Sequence, residues 1–207
     1  MIVQPIRDRR AERREATKAE ILDAAWELVR AEGLAALNLR DLAAKVGMRP
    51  PSLYSYFDSK HAIYDAMFLQ GNLELLARYE GVPEHDDPVE TLRAGGRLFI
   101  QFGVEDPARA QLLFLRTIPG FEPSQETYDV AVRIVELARV RMQRCGIPVE
   151  YLDLWTSLLS GVVWQQIANE PGGDRWARWV DDVVDMFLAH VNKHINVDKH
   201  KKRRGAE

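Results

Sequence analysis

The chain has 207 residues, 46% hydrophobic and 29% charged, with a net charge of −3; this is the balance of a soluble globular protein long enough to bury a real core. Its single cysteine, Cys145, excludes an intramolecular disulfide and a cysteine-built zinc cage. No apolar run approaches the ~18 residues of a membrane helix, and the opening MIVQPIRDRRAERREATK carries charge where a signal peptide needs its apolar stretch, so a cytoplasmic protein without a membrane partner is expected.

Charge is spread unevenly. Residues 1–70 hold 11 Lys/Arg against 10 Asp/Glu, residues 71–192 hold 11 against 19, and residues 193–207 hold 6 against 2. A near-neutral start beside an acidic body is compatible with a nucleic-acid partner at one end. The segment 1–16 reads as a mixed-charge basic extension, and 193–207 as a basic flexible tail.

The first predicted helix opens at TKAEILDAAWELVRAEG. Thr17 and Glu20 form a capping-box pattern, Ile21, Ala25, Leu28 and Val29 recur at helical spacing, and Gly33 is a C-terminal stop. A second helix fits NLRDLAAKVG, with Asn38 as N-cap, an inward face of Leu39, Leu42, Ala43 and Val46, and Gly47 as its end. A third starts at Pro50 or Pro51, because proline is tolerated in a helix's first turn and nowhere deeper. Leu53 and Phe57, four apart, face inward together. Tyr54 and Tyr56 then fall on the flanks. A long helix, a short one, a glycine turn and another short helix with a polar outer face make the layout of a helix-turn-helix.

Further helices follow: a long one from about Lys60 to the GVPEHDDP break, one opened by Asp87-Pro88, one started by Pro107, and one over about Ser124–Cys145. In YLDLWTSLLSGVVWQQIAN apolar residues go round most of the helix, so it must be covered on more than one side. After the EPGGD turn, RWARWVDDVVDMFLAHV repeats the pattern. Strand-like alternation, a phosphate-binding glycine loop and a repeat of 20–50 residues are all missing from the reading, so the fold class is all-α.

At ILDAAWELVRAEGLAALNLRDLAAKVGM and SLYSYFDSKHAIYDAM the chain resembles the TetR family of bacterial transcriptional regulators, with Leu53, Tyr54, Phe57 and Lys60 as the signature. The resemblance spans Thr17 to about Leu69. It implies a helix-turn-helix DNA-binding domain over 17–62 and a helical effector-binding and dimerisation domain over 63–192. It places Pro51, Ser52, Tyr54 and Ser55 at base or groove contacts, Arg40 where DNA is read or gripped, and Tyr54, Tyr56 and Lys60 at phosphate. Hydroxyl and ammonium donors suit that backbone role. Two departures bear on specificity: Arg49 stands where the family often has Ser or Thr, and Tyr56 where it usually has His. With Pro50 and Pro51 lacking backbone donors, Arg49 is the residue that can replace a lost phosphate contact.

The resemblance also implies a twofold homodimer through the last two helices, for which Leu152, Leu159, Val163, Trp176, Trp179, Val183 and Phe187 are candidates. A small, largely apolar effector would release an operator in double-stranded DNA. Candidate pocket residues are Phe99, Phe102, Leu112, Phe114, Phe121, Tyr128, Met142, Trp155 and Trp164, with Arg116, Gln165 and Gln166 to orient the ligand. A repressor is expected, with no cofactor and no metal. His190 and His194, four apart, read as surface histidines, since no Glu-x-x-His pattern accompanies them. An enzyme is disfavoured by the lack of a recognisable Ser-His, Cys-His or paired-carboxylate arrangement. A helical interaction module without DNA binding is the alternative, but it leaves the polar tyrosine face unexplained.

Overall fold

The computed structural model describes residues 9–204, with side chains to residue 195. The expectations for residues 1–8 and 205–207, and for side chains beyond 195, lie outside the described residues. Nine α-helices carry the described chain, with no strand among them: α1 (Arg9–Glu32), α2 (Leu39–Lys45), α3 (Pro50–Leu53), α4 (Lys60–Glu80), α5 (Pro88–Glu105), α6 (Pro107–Phe114), α7 (Gln125–Arg144), α8 (Leu152–Asn169) and α9 (Val180–Arg204). The described chain divides into two compact units, one of residues 9–71 with 111–128, the other of 72–110 with 129–204.

In the first unit, α1 packs on α2 and α2 on α3. Ile21, Ala25, Leu42, Ala43 and Leu53 are buried to within 1%. The expected capping box at Thr17 does not exist, because α1 is already helical from Arg9. The Thr17 hydroxyl instead donates to the Arg13 carbonyl at 3.0 Å, the back-bonding open to a threonine inside a helix. The preceding RRAERREA is rich in good helix formers, so the helix has no reason to start at Thr17. Asn38 caps α2 as expected, its Oδ1 accepting from the Asp41 N–H at 2.9 Å. At the other end Gly47, at φ +67, lets the Met48 N–H return to the Ala43 carbonyl at 2.8 Å, the left-handed stop that permits a tight turn into the next helix.

α3 opens with Pro50 and Pro51 in its first turn, as predicted, and is a single turn long, ending at Leu53. Tyr56 N–H donates to Leu53 O at 2.9 Å and Ser55 N–H to Ser52 O at 3.2 Å, the tighter i→i+3 winding common at helix ends.

In the second unit, α5 packs on α8 and α9 around Leu92, Ile100, Met142, Ile147, Trp155, Leu159, Val163, Val184, Phe187 and Val191. Only one stripe of α8 is buried, Trp155, Leu159, Val163 and Gln166. Leu159, Val163 and Phe187, expected to face a partner copy, are therefore occupied in this unit's own core, at 2%, 0% and 1% exposure. Gln166 is consumed too: its Oε1 accepts from Trp176 N–H at 2.8 Å and its amide donates to the Glu170 carbonyl, tying off the end of α8. α9 starts at Val180, after a 3₁₀ turn over Ala177–Trp179, and continues to Arg204, past the point where a tail was expected. Arg97 forks onto Asp181 at 2.9 and 2.7 Å, and Arg93 pairs with Asp185. The pairs fix the register of α5 on α9, each being exposed enough to contribute only about 1 kcal/mol or less.

Close approach of α5 to α8 depends on Gly103, where an added Cβ would lie 2.7 Å from Val163 Cγ1. Gly103→Ala is expected to cost about 1–3 kcal/mol in overpacking, more than the roughly 1 kcal/mol gained in helix propensity. A lower midpoint in urea unfolding at unchanged slope checks this; an unchanged or higher midpoint contradicts it.

Candidate nucleic-acid interface

Leu53 and Phe57 are buried at 1% and 8% exposure, while Tyr54, next to Leu53, is 50% exposed. Their burial, worth roughly 1.5–3 kcal/mol each, turns the outer side of α3 to solvent. Pro50, Pro51, Ser52 and Ser55 are exposed on it, with the Ser55 hydroxyl donating to Ser52 O at 2.7 Å. Arg40, in the first turn of α2, and Arg49, at the N-cap of α3, are exposed and have no acidic partner among the described residues. Two unneutralised cations and an exposed phenol thus share this end of the first unit.

Two expected phosphate ligands are engaged otherwise. Lys60 is half-buried, its Nζ donating to the Ala35 carbonyl at 3.4 Å and lying 5.4 Å from the Tyr64 ring. Tyr56 is half-buried, with the Arg14 guanidinium 5.1 Å over its ring. Arg14 also donates to the Ser55 carbonyl at 2.6 Å, placing a cation on the carbonyl end of the short helix. Sequence reasoning passed over Arg14 because it assigned residues 1–16 to an extension. Carrying the helical pattern upstream of Thr17 would have put it on the α1 surface.

The expected pocket residues separate into two sets. Leu112, Phe114, Arg116, Phe121 and Tyr128 come together around a cavity of about 210 Å³ in the first unit, completed by Phe68, Leu113, Leu115, Ile118, Glu122 and Pro123. Phe102, Met142 and Trp155 instead lie in the second unit, at 0%, 1% and 3% exposure. Phe102 there carries the Arg109 guanidinium 3.7 Å above its ring, and Trp155 packs 5.2 Å from Phe187. Phe99 packs against the second unit's core, Trp164 is half-buried, and Gln165 accepts from the Asn169 amide at 2.9 Å.

The cavity wall is tied to the α1–α2 pair. Phe121 lies 5.7 Å from the Tyr64 ring and 6.0 Å from His61. Tyr64, fully buried, donates its hydroxyl to the Leu34 carbonyl in the link between α1 and α2. Asp65, one residue on, accepts from the Ser124 N–H and hydroxyl at 2.8 Å each and from the Thr127 hydroxyl at 2.7 Å. Tyr64 and Asp65 were absent from the sequence-level site, since nothing in their local pattern marks them.

Burial pushes the Tyr64 phenol from its ordinary 10 up to about 12. A raised folded-state value gives stability that is complete below pH 10 and is lost as pH rises from about 10 towards 12. Tyr64→Phe is expected to remove part of that alkaline loss and to cost about 1 kcal/mol or more at neutral pH, since the Leu34 carbonyl is left without this donor. Unfolding of both proteins between pH 7 and 12 checks it; identical profiles would contradict it.

Comparison with known proteins agrees with this geometry. The family described as "Bacterial regulatory proteins, tetR family" matches residues 21–67, the stretch from mid-α1 to mid-α4. Tetracycline repressor protein class D of Escherichia coli is 29% identical over 115 residues, covering 54% of this chain and 49% of that protein. The HTH-type transcriptional regulator Rv1816 of Mycobacterium tuberculosis is 28% identical over 135 residues, covering 61% and 56%. The chain spans about half the length of the curated relatives it matches. Among solved structures, the TetR family transcriptional regulator PfmR from Thermus thermophilus superposes with a TM-score of 0.64 at 25% identity, over 82% of this chain and 97% of that one. The helix-turn-helix is thus matched in sequence by the tetR family of bacterial regulatory proteins, and the helical body is similar in fold to a solved TetR family regulator.

Proposed function

We propose that the chain is a ligand-responsive DNA-binding transcription regulator and not an enzyme: a cytoplasmic repressor that grips a palindromic operator as a homodimer and lets go when a small effector binds. The observation that carries this reading is the outer face of α2 and α3, where Arg40, Arg49 and Tyr54 stand exposed on a core-anchored helix pair. The arginines supply phosphate or guanine contacts and the phenol a backbone donor. The relatives' names, tetracycline repressor and HTH-type transcriptional regulator, support the same reading.

For the effector, the 210 Å³ cavity is small and mostly apolar, with Arg116, Glu122 and Tyr128 as its polar groups. It lies below the ~300–1,000 Å³ range of drug-sized sites, which favours a compact ligand. A ligand that moves Phe121 acts on Tyr64 and through it on the α1–α2 link. Release then requires only that the ligand prefer the conformation with weaker DNA affinity.

For the dimer, α8, α9 and the 3₁₀ turn between them leave Leu154, Trp179 and Met186 exposed at 37%, 50% and 63%, with Leu152, Trp176 and Val183 half-buried. In the family these two helices form the twofold interface. Two α3 helices about 34–36 Å apart would meet successive major grooves. Trp179→Glu with Met186→Glu is expected to give a monomer by light scattering with helix content unchanged, since neither side chain is buried in the protomer. A dimer that survives both substitutions places the interface elsewhere.

The DNA reading is tested by selecting genomic fragments on ligand-free protein and titrating the best one. Tyr54→Ala and Arg40→Ala should each weaken binding roughly 10–100-fold, and Arg40→Ala should lower the salt slope by about one if it holds a phosphate. Failure to enrich any fragment at moderate salt, after refolding free of small molecules, would leave a helical module that does not bind DNA.

A further inference from the structure

Read along the chain, the RRAERRE at the start of α1 mixes arginines with glutamates. Wound into a helix, the two separate. At roughly 100° per residue, Arg14, Arg10, Arg13 and Arg9 fall in that order on one arc of about 140°, while Glu12 and Glu15 lie on the opposite side. Glu15 is turned to Lys18 at 3.2 Å. Arg9 and Arg13, both exposed, have no acidic partner among the described residues. Arg9 and Arg13, like Arg10 and Arg14, are also like charges four apart, an arrangement that works against a helix on its own.

Arg14 fixes where this flank lies. Its guanidinium donates to the Ser55 carbonyl at 2.6 Å and sits 5.1 Å over the Tyr56 ring. The arc therefore starts against the end of α3, beside the exposed Tyr54. At 1.5 Å rise per residue, all four arginines fall within about 8 Å along the helix axis. Both helices belong to the first unit, so the arc and the outer side of α3 are parts of one compact body.

We infer that this arc is a further phosphate-binding surface, on which Arg9 and Arg13 hold the backbone of the same DNA that meets α2 and α3. The inference rests on the DNA reading above and extends it to a helix flank outside the helix-turn-helix. A guanidinium presents a planar fork of donors suited to phosphate oxygens, and a polyanion relieves the repulsion within the arc. Such contacts add affinity and carry no sequence preference. The competing explanation is that RRAERRE is only a solvated, helix-forming start to α1. In that case its charges matter to DNA no more than charges elsewhere on the chain.

The test is titration of the full chain against two duplexes of equal length, the best fragment from the genomic selection and an unrelated one, between about 50 and 200 mM sodium chloride. Arg9→Gln with Arg13→Gln is compared with wild type and with Arg133→Gln plus Arg144→Gln, which removes the same charge from two exposed positions of α7. Glutamine keeps helix propensity, and Arg14 stays in place, so α3 keeps its clamp. The Arg9/Arg13 variant should weaken both duplexes by the same factor, roughly tenfold, and flatten the salt slope by about two per protomer. The α7 variant should leave the slope unchanged. Arg9→Lys with Arg13→Lys, which keeps the charges, should keep the slope. The inference is overturned if the glutamine pair leaves affinity and slope at wild-type values, or if the α7 variant lowers them as much. It is also overturned if the pair weakens one duplex and spares the other, which is base reading and not phosphate binding. A wild type that binds neither duplex sinks the DNA reading itself, whereas a wild type that binds and a glutamine pair that changes nothing sink this surface alone.

Discussion

A helix of four residues cannot hold itself together. Nucleation fixes several backbone angles before the first hydrogen bond repays them, so α3, Pro50–Leu53, exists only because its surroundings dictate it. Pro50 and Pro51 pre-set two of its backbone angles, Gly47 delivers the chain to its start, and Leu53 and Phe57 nail its inner side into the core. Arg14 then clamps its carbonyl end from α1. The positions of Tyr54, Arg40 and Arg49 are consequences of that anchoring. As the proposed DNA contacts they are placed no better than the rigidity of the core behind them allows.

The same core reaches the cavity. Tyr64 touches Phe121 with its ring and Leu34 with its hydroxyl, so one side chain faces the cavity wall on one side and the α1–α2 link on the other. A buried hydrogen bond contributes about 0.5–1.5 kcal/mol and an aromatic contact a similar amount. Coupling between two sites is typically worth about 1–3 kcal/mol. One tyrosine contact can therefore account for a large share of a functional response, and the Asp65 bridge to Ser124 and Thr127 keeps the cavity segment from moving independently of α4.

What was legible in the sequence were the local devices: Asn38, Asp87, Pro50 and Pro88 mark helix starts because capping and proline geometry are decided within three residues. The capping box at Thr17 failed at the same scale, since the pattern that caps a helix also sits comfortably inside one, and the upstream RRAERREA decided between them. The outer face of α3 followed from two apolar anchors four apart. The pocket was legible only where its walls are consecutive: 112–123 is one segment, so Leu112, Phe114, Arg116 and Phe121 arrive together. Phe102, Met142 and Trp155 are equally apolar and belong to packing elsewhere, which composition cannot distinguish. The last two helices show the same limit. Apolar residues on all sides of α8 say that it is covered, and only the close approaches at Gly96 and Gly103 decide that Leu159 and Val163 are the covered ones.

Charge is where sequence reading had least purchase. An arginine looks the same whether it will be solvated, paired or buried, and this chain uses all three. Arg40 and Arg49 stay in water, where a cation costs nothing and remains available to a polyanion. Arg109 is buried but balanced by Glu74 and Glu105 and stacked on Phe102, so its desolvation is offset within the fold. Arg141 is buried to the same degree with one backbone carbonyl for company. A buried cation without a counter-charge is the costliest of the three placements. The distinction between Arg109 and Arg141 is therefore the most informative one in the second unit, because it rests on which charges meet and not on how many there are.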